Sequence, residues 1–368
     1  MRVLVWQWGR LGAGPAAAVA LAKGMASLAG VEALLSLAAG AEIMQGPRAP
    51  RCDLPVATYG SMAGLIWRAA QAPWLIRRLM IDIGRLRPDC AVCALPGPLD
   101  LAMWAALRRL GIPTGVIVHD ADPHPGDGFP GQFVLQRALV RRADTIIALT
   151  DHVAARLSER GDIRVGARLV IASLPPFDFG VRQPAGAHSG PRRVLVFGRL
   201  LSYKGLDLLL EALRLLGPRG DMEVRVAGKG PETSILEGLR RCPGVSVENR
   251  WIPEEEVGAL LTWSDLLVLP YREASQSGVA AAALAAGRRI VVTRVGGLEQ
   301  QLGQEPLAFL CEPDGKSLAS AIMAALAEPA DTKRLPVDAE AGWTGLARKV
   351  VDGLMAGGGA WPSDSPLP

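Results

Sequence analysis

Aromatic residues make up only 5% of the 368 residues, lysine is scarce beside arginine, and the five cysteines are an odd number. An odd count in a chain of this length argues against a disulfide framework and for a reducing compartment, so the protein is expected on the cytoplasmic side. Long apolar runs are also missing. Lys23 and Glu32 break the Ala-rich stretch after Pro15, and no segment reaches the roughly 18 to 20 apolar residues that a bilayer span needs. The opening MRVLVWQWGR is too short in its apolar part for a signal segment and reads as a first strand leading into a Gly-rich loop, so export is not expected. No block of Lys/Arg is interleaved with stacking aromatics, which argues against nucleic acid as a partner. The net charge of +4 has its surplus in the amino-terminal half, which suits an anionic membrane surface or a phosphate-bearing substrate.

Standard metal and redox spacings are lacking as well. Cys90 and Cys93 form a CxxC, but within the strand-like run DCAVCAL residues three apart point to opposite faces, so neither redox chemistry nor a metal is expected there.

What is present is a regular alternation. With 49% hydrophobic and 21% charged residues, the chain has the composition of a globular protein long enough for two domains of about 150 to 200 residues each. RVLVW, DCAVCAL, TGVIV, DTIIAL and RLVIA are predicted strands in the first half, and RRVLVF, MEVRVA, DLLVLP and RRIVVT in the second. Helical segments over 100–110, 133–142, 205–216, 254–263 and 316–327 lie among them. Continuous apolar strands alternating with helices predict parallel sheets covered on both faces by right-handed crossovers. The pattern is interrupted once, from Ser173 to Arg193, by a Pro- and Gly-rich stretch without periodicity. The fold expected is therefore α/β, with two Rossmann-like doubly wound domains facing a central cleft. Residues 1–175 form the first domain, 176–192 the linker and 193–340 the second domain, while 341–368 form a helix and tail that pack back on the first. Ligands bind beyond the carboxyl ends of such strands, which places the active site in the cleft.

Four segments carry candidate chemistry. After the first strand, Gly12, Ala13, Gly14 and Ala17 give the spacing G-x-G-x-x-A, with Pro15 able to start a helix. Two readings stand: a dinucleotide-type pyrophosphate loop, or a flexible loop permitting close backbone approach. HDADPHPGD carries His119, Asp120, Asp122, His124 and Asp127 at a strand's end. A polar substrate-binding loop is favoured there over a metal site, whose spacing is unmatched, and over a plain turn. Arg199 and Lys204 lie between a strand and a helix beginning near Gly205, as a phosphate site or as solvated charges. Finally, Glu273, Ser275, Gln276, Ser277 and Gly278 precede an Ala-rich helix, and a polar loop of that density more often binds a ligand than merely connects.

Taken together, GRLLSYKGLDLLLEAL, the ASQSGV loop, AAGRRIVVT and VGGLE resemble the family 4 glycosyltransferases, retaining nucleotide-sugar transferases of the GT-B fold, in the branch with a T/S-Q-S-G-V loop. The resemblance is strong over 192–300 and looser before it. It implies that the second domain binds a nucleotide diphospho-sugar donor and the first an acceptor, lipid-linked or polysaccharide, as in exopolysaccharide or cell-envelope glycan synthesis. Arg199 and Lys204 would hold the donor diphosphate, Gly12 to Gly14 would border phosphate and sugar, and His119 would touch the transferred sugar. Glu273 would contact a sugar hydroxyl, and Asp120, Gln276, Ser277 and Gly278 would line the substrate site. No cofactor and no metal is implied. The family's Glu, seven residues, Glu motif is broken: from Glu273 the second place is Ala281, and an alternative alignment pairs Ala274 with Ala282. Two alternatives remain: an NAD(P)-dependent oxidoreductase, supported by the first loop alone, and a non-catalytic GT-B protein that lost activity with the second Glu.

Residues 61–88 add five arginines, Arg68, Arg77, Arg78, Arg85 and Arg87, against the single acid Asp82, with Trp67 and Trp74 seven apart and Leu65, Ile66, Leu75, Ile76 and Leu79 nearby. This segment reads either as a peripheral contact with anionic membrane or as two short helices packed on the sheet with arginines in water, Pro73 kinking or restarting the helix.

Overall fold

The computed structural model describes residues 1–46, 49–123, 131–186, 188–329 and 339–356. Two six-stranded sheets carry the fold, and every strand pairing in them is parallel.

The first sheet contains β1 (Arg2–Gln7), β2 (Glu32–Leu37), β3 (Cys90–Cys93), β4 (Thr114–Val118), β5 (Thr145–Ala148) and β6 (Arg168–Ile171) in the order β2-β1-β3-β4-β5-β6. Its inner strands are buried residue after residue because helices cover both faces: α1 (Ala13–Ala26) on one side, and α3 (Ala72–Leu86) and α4 (Asp100–Arg109) on the other. Cys90 faces one core and Cys93 the other, and burial pushes the Cys90 thiol up to about 12 and that of Cys93 well above its usual range. Both behave as small core hydrophobes.

The second sheet holds β7 (Arg192–Phe197), β8 (Met222–Gly228), β9 (Val245–Asn249), β10 (Leu266–Leu269), β11 (Arg289–Thr293) and β12 (Ala308–Cys311) in the order β12-β11-β10-β7-β8-β9. Its crossovers include α7 (Leu206–Leu216), α9 (Glu254–Trp263), α10 (Gly278–Ala285) and α12 (Gly315–Ala327). Each sheet reverses strand order once, at β1/β3 in the first and at β7/β10 in the second. Those two points fix where a ligand can enter.

Between Ile171 and Arg192 the described residues form no helix or strand. The last helix, α13 (Ala339–Met355), returns to the first domain and packs along α1. Trp343 Nε1 donates to the carbonyl of Pro176 at 2.9 Å, and the Trp343 ring meets Phe177 edge-on at 5.3 Å. Farther along α13, the Gly353 carbonyl accepts from Arg168 Nη1 at 2.7 Å. The second chain crossing therefore closes back on the first sheet.

Segment 61–88 folds as two helices, α2 (Met62–Ala70) and α3, that share Gln71 as terminus and start, with Pro73 in the first turn of α3. Pro73 restarts the helix, since its ring forbids continuation of the preceding turn. Leu65, Leu75 and Leu79 turn into the core, whereas Ile66, Trp67 and Trp74 stand 67%, 68% and 60% exposed. The apolar residues thus divide between two faces.

Candidate active site

The loops after β7 and β10 flank the reversal in the second sheet and bring the cations together. Leu201 leads into a single 3-10 turn, Ser202–Lys204, and Gly205 then starts α7 with a left-handed φ of 66°. That conformation is open to glycine and turns Lys204 toward the loop after β10. The Lys204 ammonium lies 3.7 Å from the ring centroid of Tyr271 and 4.9 Å from that of Tyr203. Two buried aromatic faces hold the charge by cation–π attraction while leaving its N–H donors for an anion. Arg199 Nη2 donates to the Tyr203 hydroxyl at 3.1 Å, and the Tyr271 hydroxyl lies 3.3 Å from Ser277 Oγ. Neither tyrosine stood out from the sequence: an isolated Tyr in YKG or PYRE reads as core, and core is where both rings are.

Ser277 caps α10, its Oγ accepting from Ala280 N at 3.2 Å while its own N–H donates to Gln301 Oε1 at 2.8 Å. Its side chain is committed to the helix start and its amide to Gln301, so neither is open to a ligand. Glu273 is exposed at the mouth of the same loop. Neighbouring Arg272 pairs with Asp207 of α7, which fixes the loop against that helix.

On the first domain the matching reversal lies between β1 and β3. Gly12 caps α1 with φ 81°, and the helix begins at Ala13, two residues before Pro15, the start expected from sequence. A Cβ on Gly14 would lie 2.8 Å from Gln7 Nε2, so Gly14 makes room for a buried side chain of its own domain. His119 directly follows β4, with Nδ1 3.1 Å from Asp120 Oδ2 and the ring about one quarter exposed.

The two halves meet at these places. Gln276 Nε2 donates to the carbonyl of His119 at 3.0 Å, while Gln276 Oε1 is buried without a partner among the described residues. Gln300 Oε1 accepts from Asp151 N at 2.8 Å, and a Cβ on Gly12 would lie 3.9 Å from the Trp251 ring. The first loop, His119 and the 273–278 loop thus lie where the two halves meet, and Arg199 and Lys204 are joined to that loop through Tyr203, Tyr271 and Ser277.

A profile described as "Glycosyl transferase 4-like domain" matches residues 12–173, and one described as "Glycosyl transferases group 1" matches 191–328. The chain belongs to the group 1, family 4 glycosyltransferases. Among curated relatives it is 27% identical over 240 residues to the colanic acid biosynthesis glycosyltransferase WcaL of Escherichia coli, covering 60% of this chain and 57% of that one. It is also 27% identical over 267 residues to 2-deoxystreptamine glucosyltransferase of Streptomyces kanamyceticus, covering 63% and 67%. The chain thus spans little more than half the length of WcaL and 49% of the glycogen synthase of Mycobacterium tuberculosis. Its fold is that of Anabaena HepE, solved with UDP and glucose, at TM-score 0.67, 16% identity and coverage of 97% and 98%. A UDP-GlcNAc 2-epimerase from Neisseria meningitidis shares it at TM-score 0.60, 12% identity and coverage of 97% and 100%, so the GT-B architecture alone does not specify transfer.

Within this family member one sequence reading takes a different form. Asp122 does not join His119 in the cleft. It pairs with Arg156 at 2.8 Å and Arg160 at 2.6 Å, and these guanidiniums hold its carboxyl below the usual range. His124 and Asp127 lie outside the described residues. Ala281 and Ala282, the two places open to the family's second Glu, are each 2% exposed and packed in the core. Among the described residues no group of three His, Cys, Asp or Glu converges as a metal site.

Proposed function

We propose that this glycosyltransferase moves a sugar, with retention at the anomeric carbon, from a nucleotide diphospho-sugar to a lipid-linked or polysaccharide acceptor. The observation that carries the reading is the pair Arg199 and Lys204, held by Tyr203 and Tyr271 at the strand reversal of the second sheet, with His119 across the cleft. As the sugar–phosphate bond breaks, negative charge grows on the leaving diphosphate. Fixed cations and the first-turn amides of α10 stabilise it with no reorganisation at that moment. His119 contacts the transferred sugar and Glu273 one of its hydroxyls. Retention is what the family resemblance implies, and the relatives' names, colanic acid and glycogen among them, support a glycan acceptor.

The test is a thermal-shift panel of UDP, GDP and ADP against NAD(P), followed by mass spectrometry of acceptor extracts incubated with donor. A shift with a nucleoside diphosphate and none with NAD(P) is expected. Activity in EDTA should be full and His119→Ala should lose most of it. Activity that returns only on adding metal back to chelated enzyme would instead give the diphosphate contact to an ion.

For the acceptor side we propose peripheral attachment through α2 and α3. The exposed Ile66, Trp67 and Trp74 form an apolar face, with Arg77 and Arg78 beside it and the Arg68 guanidinium 5.7 Å over the Trp74 ring. No described helix is long and apolar enough to cross a membrane. Flotation with anionic vesicles at low salt should carry the wild-type protein upward, and joint replacement of Trp67, Trp74, Arg77 and Arg78 should leave it in the soluble fraction. Equal flotation of the two proteins would remove this face as the contact.

A further inference from the structure

The segment VGGLEQQ, residues 295–301, follows β11 and touches both halves of the molecule. A Cβ on Gly296 would lie 2.0 Å from the Ala274 carbonyl oxygen, and one on Gly297 would lie 2.0 Å from that of Ser275 and 3.2 Å from Thr150 Oγ1 of the first domain. The two glycines let the backbone lie against the 273–278 loop and the first domain at once. They lead into α11 (Leu298–Leu302), which is anchored by the fully buried Leu298 and Leu302.

Each glutamine of α11 grips one residue twice. Gln301 Oε1 accepts from the Ser277 N–H at 2.8 Å, and Gln301 Nε2 donates to the Ser277 carbonyl at 3.1 Å. Gln300 holds the first domain in the same manner at the start of α6 (Asp151–Glu159). Its Oε1 accepts from the Asp151 N–H at 2.8 Å, and its Nε2 donates to Asp151 Oδ2 at 2.5 Å. Neighbours on a helix point about 100° apart, so adjacent glutamines can serve two different sides. From the loop that Gln301 braces, Gln276, 5% exposed, donates to the His119 carbonyl at 3.0 Å. That carbonyl fixes the orientation of the amide, because only its Nε2 end can donate. The start of α6 and the residue after β4 are thus both tied to the 273–278 loop. Such bonds exchange readily for water, so they supply direction more than strength.

We propose that Gln276 and Gln300 are positioning residues for sugar transfer. Acting through His119 and Asp151, they set the end of β4 against the 273–278 loop and so place His119 at the donor. This rests on the reading of Arg199 and Lys204 as the diphosphate contact and of His119 as the sugar contact. In that reading the second domain holds the diphosphate by itself, so loss of the bridge lowers the transfer step and leaves diphosphate binding unchanged.

Steady-state rates at saturating donor, set beside isothermal titration of UDP, GDP and ADP, separate the two. Gln276→Met keeps the side-chain length and removes the donor, while Gln300→Glu sets a carboxylate against that of Asp151. Each is expected to lower kcat about three- to tenfold with the nucleoside diphosphate Kd unchanged. Adding Asp151→Asn to Gln300→Glu reverses the sense of the amide–carboxylate bond, and most of the lost kcat should return. Wild-type kcat in both single variants overturns the proposal, as does a loss in Gln300→Glu that Asp151→Asn fails to restore. A matching rise in the nucleoside diphosphate Kd would give these glutamines to the shape of the second domain alone and overturns it too. A wild-type protein that binds no nucleoside diphosphate and transfers no sugar would remove the donor reading, and small-angle scattering then decides the bridge. A larger radius of gyration in Gln300→Glu that Asp151→Asn reverses supports it, and equal radii in the three proteins overturn it.

Discussion

Lys204→Ala is expected to lower sugar transfer at subsaturating donor by about ten- to a hundredfold, and Arg199→Ala by a similar factor, with the fold retained. A charge-assisted hydrogen bond contributes about 1.5 to 3 kcal/mol, and here the developing charge on the leaving group raises the demand in the transition state. Lys204 is suited to this because the rings of Tyr203 and Tyr271 hold its ammonium in one place and, among the described residues, no carboxylate pairs with it. Tyr271→Leu should therefore weaken donor use in the same direction, though less, by freeing the lysine while keeping its charge. Initial rates measured over a donor range separate the effects. Wild-type rates in both Lys204→Ala and Arg199→Ala would remove the diphosphate from this pair.

Gly205→Ala is expected to cost about 2 to 4 kcal/mol of stability, among the larger effects of a single methyl group. Gly205 has φ 66°, and a Cβ there would lie 1.7 Å from the Pro270 carbonyl oxygen, so the loops after β7 and β10 would have to separate. Those loops carry Lys204 and Tyr271, and nucleoside diphosphate affinity should fall with stability. Gly131 supplies the control. It is also left-handed, with φ 88°, and has nothing within 4 Å of a Cβ, so Gly131→Ala should cost only the backbone strain of about 1 to 2 kcal/mol. Chemical denaturation of the two variants measures the difference. Equal losses would mean that the contact with Pro270 relaxes at no cost and does not set the loop.

Nine predicted strands are present, and the three that were missed share one property. β2, β9 and β12 are edge strands of their sheets, paired on one side only. β9 is partly exposed along its whole length and β2 begins in water, so neither shows the continuous apolar run by which a fully covered parallel strand is recognised. The helices predicted over 100–110, 133–142, 205–216, 254–263 and 316–327 are present and were legible from their amphipathic or Ala/Leu-rich spacing, since only the last has a capping side chain, Asp314, that accepts a first-turn N–H. Of the candidate site, Arg199, Lys204 and His119 were visible because charged or polar residues interrupt apolar runs at strand ends. Tyr203 and Tyr271 were not, since an isolated aromatic in a loop carries no periodic signal.

The sequence by itself determined the α/β class, the two-domain division and the family, because burial on both faces of a sheet writes itself into local apolar runs and because loops at strand ends keep recognisable residue types. Only the tertiary structure decided which of those residues meet. It separated Asp122 from His119 by offering it two arginines, committed Ser277 to a helix cap, and turned Leu65, Leu75 and Leu79 inward while leaving Trp67 and Trp74 outside. It also joined Gln276 to the His119 backbone across 157 positions of sequence. Such pairings depend on strand order and on the approach of two separate sheets, and no local pattern of residues encodes a distance between segments that far apart.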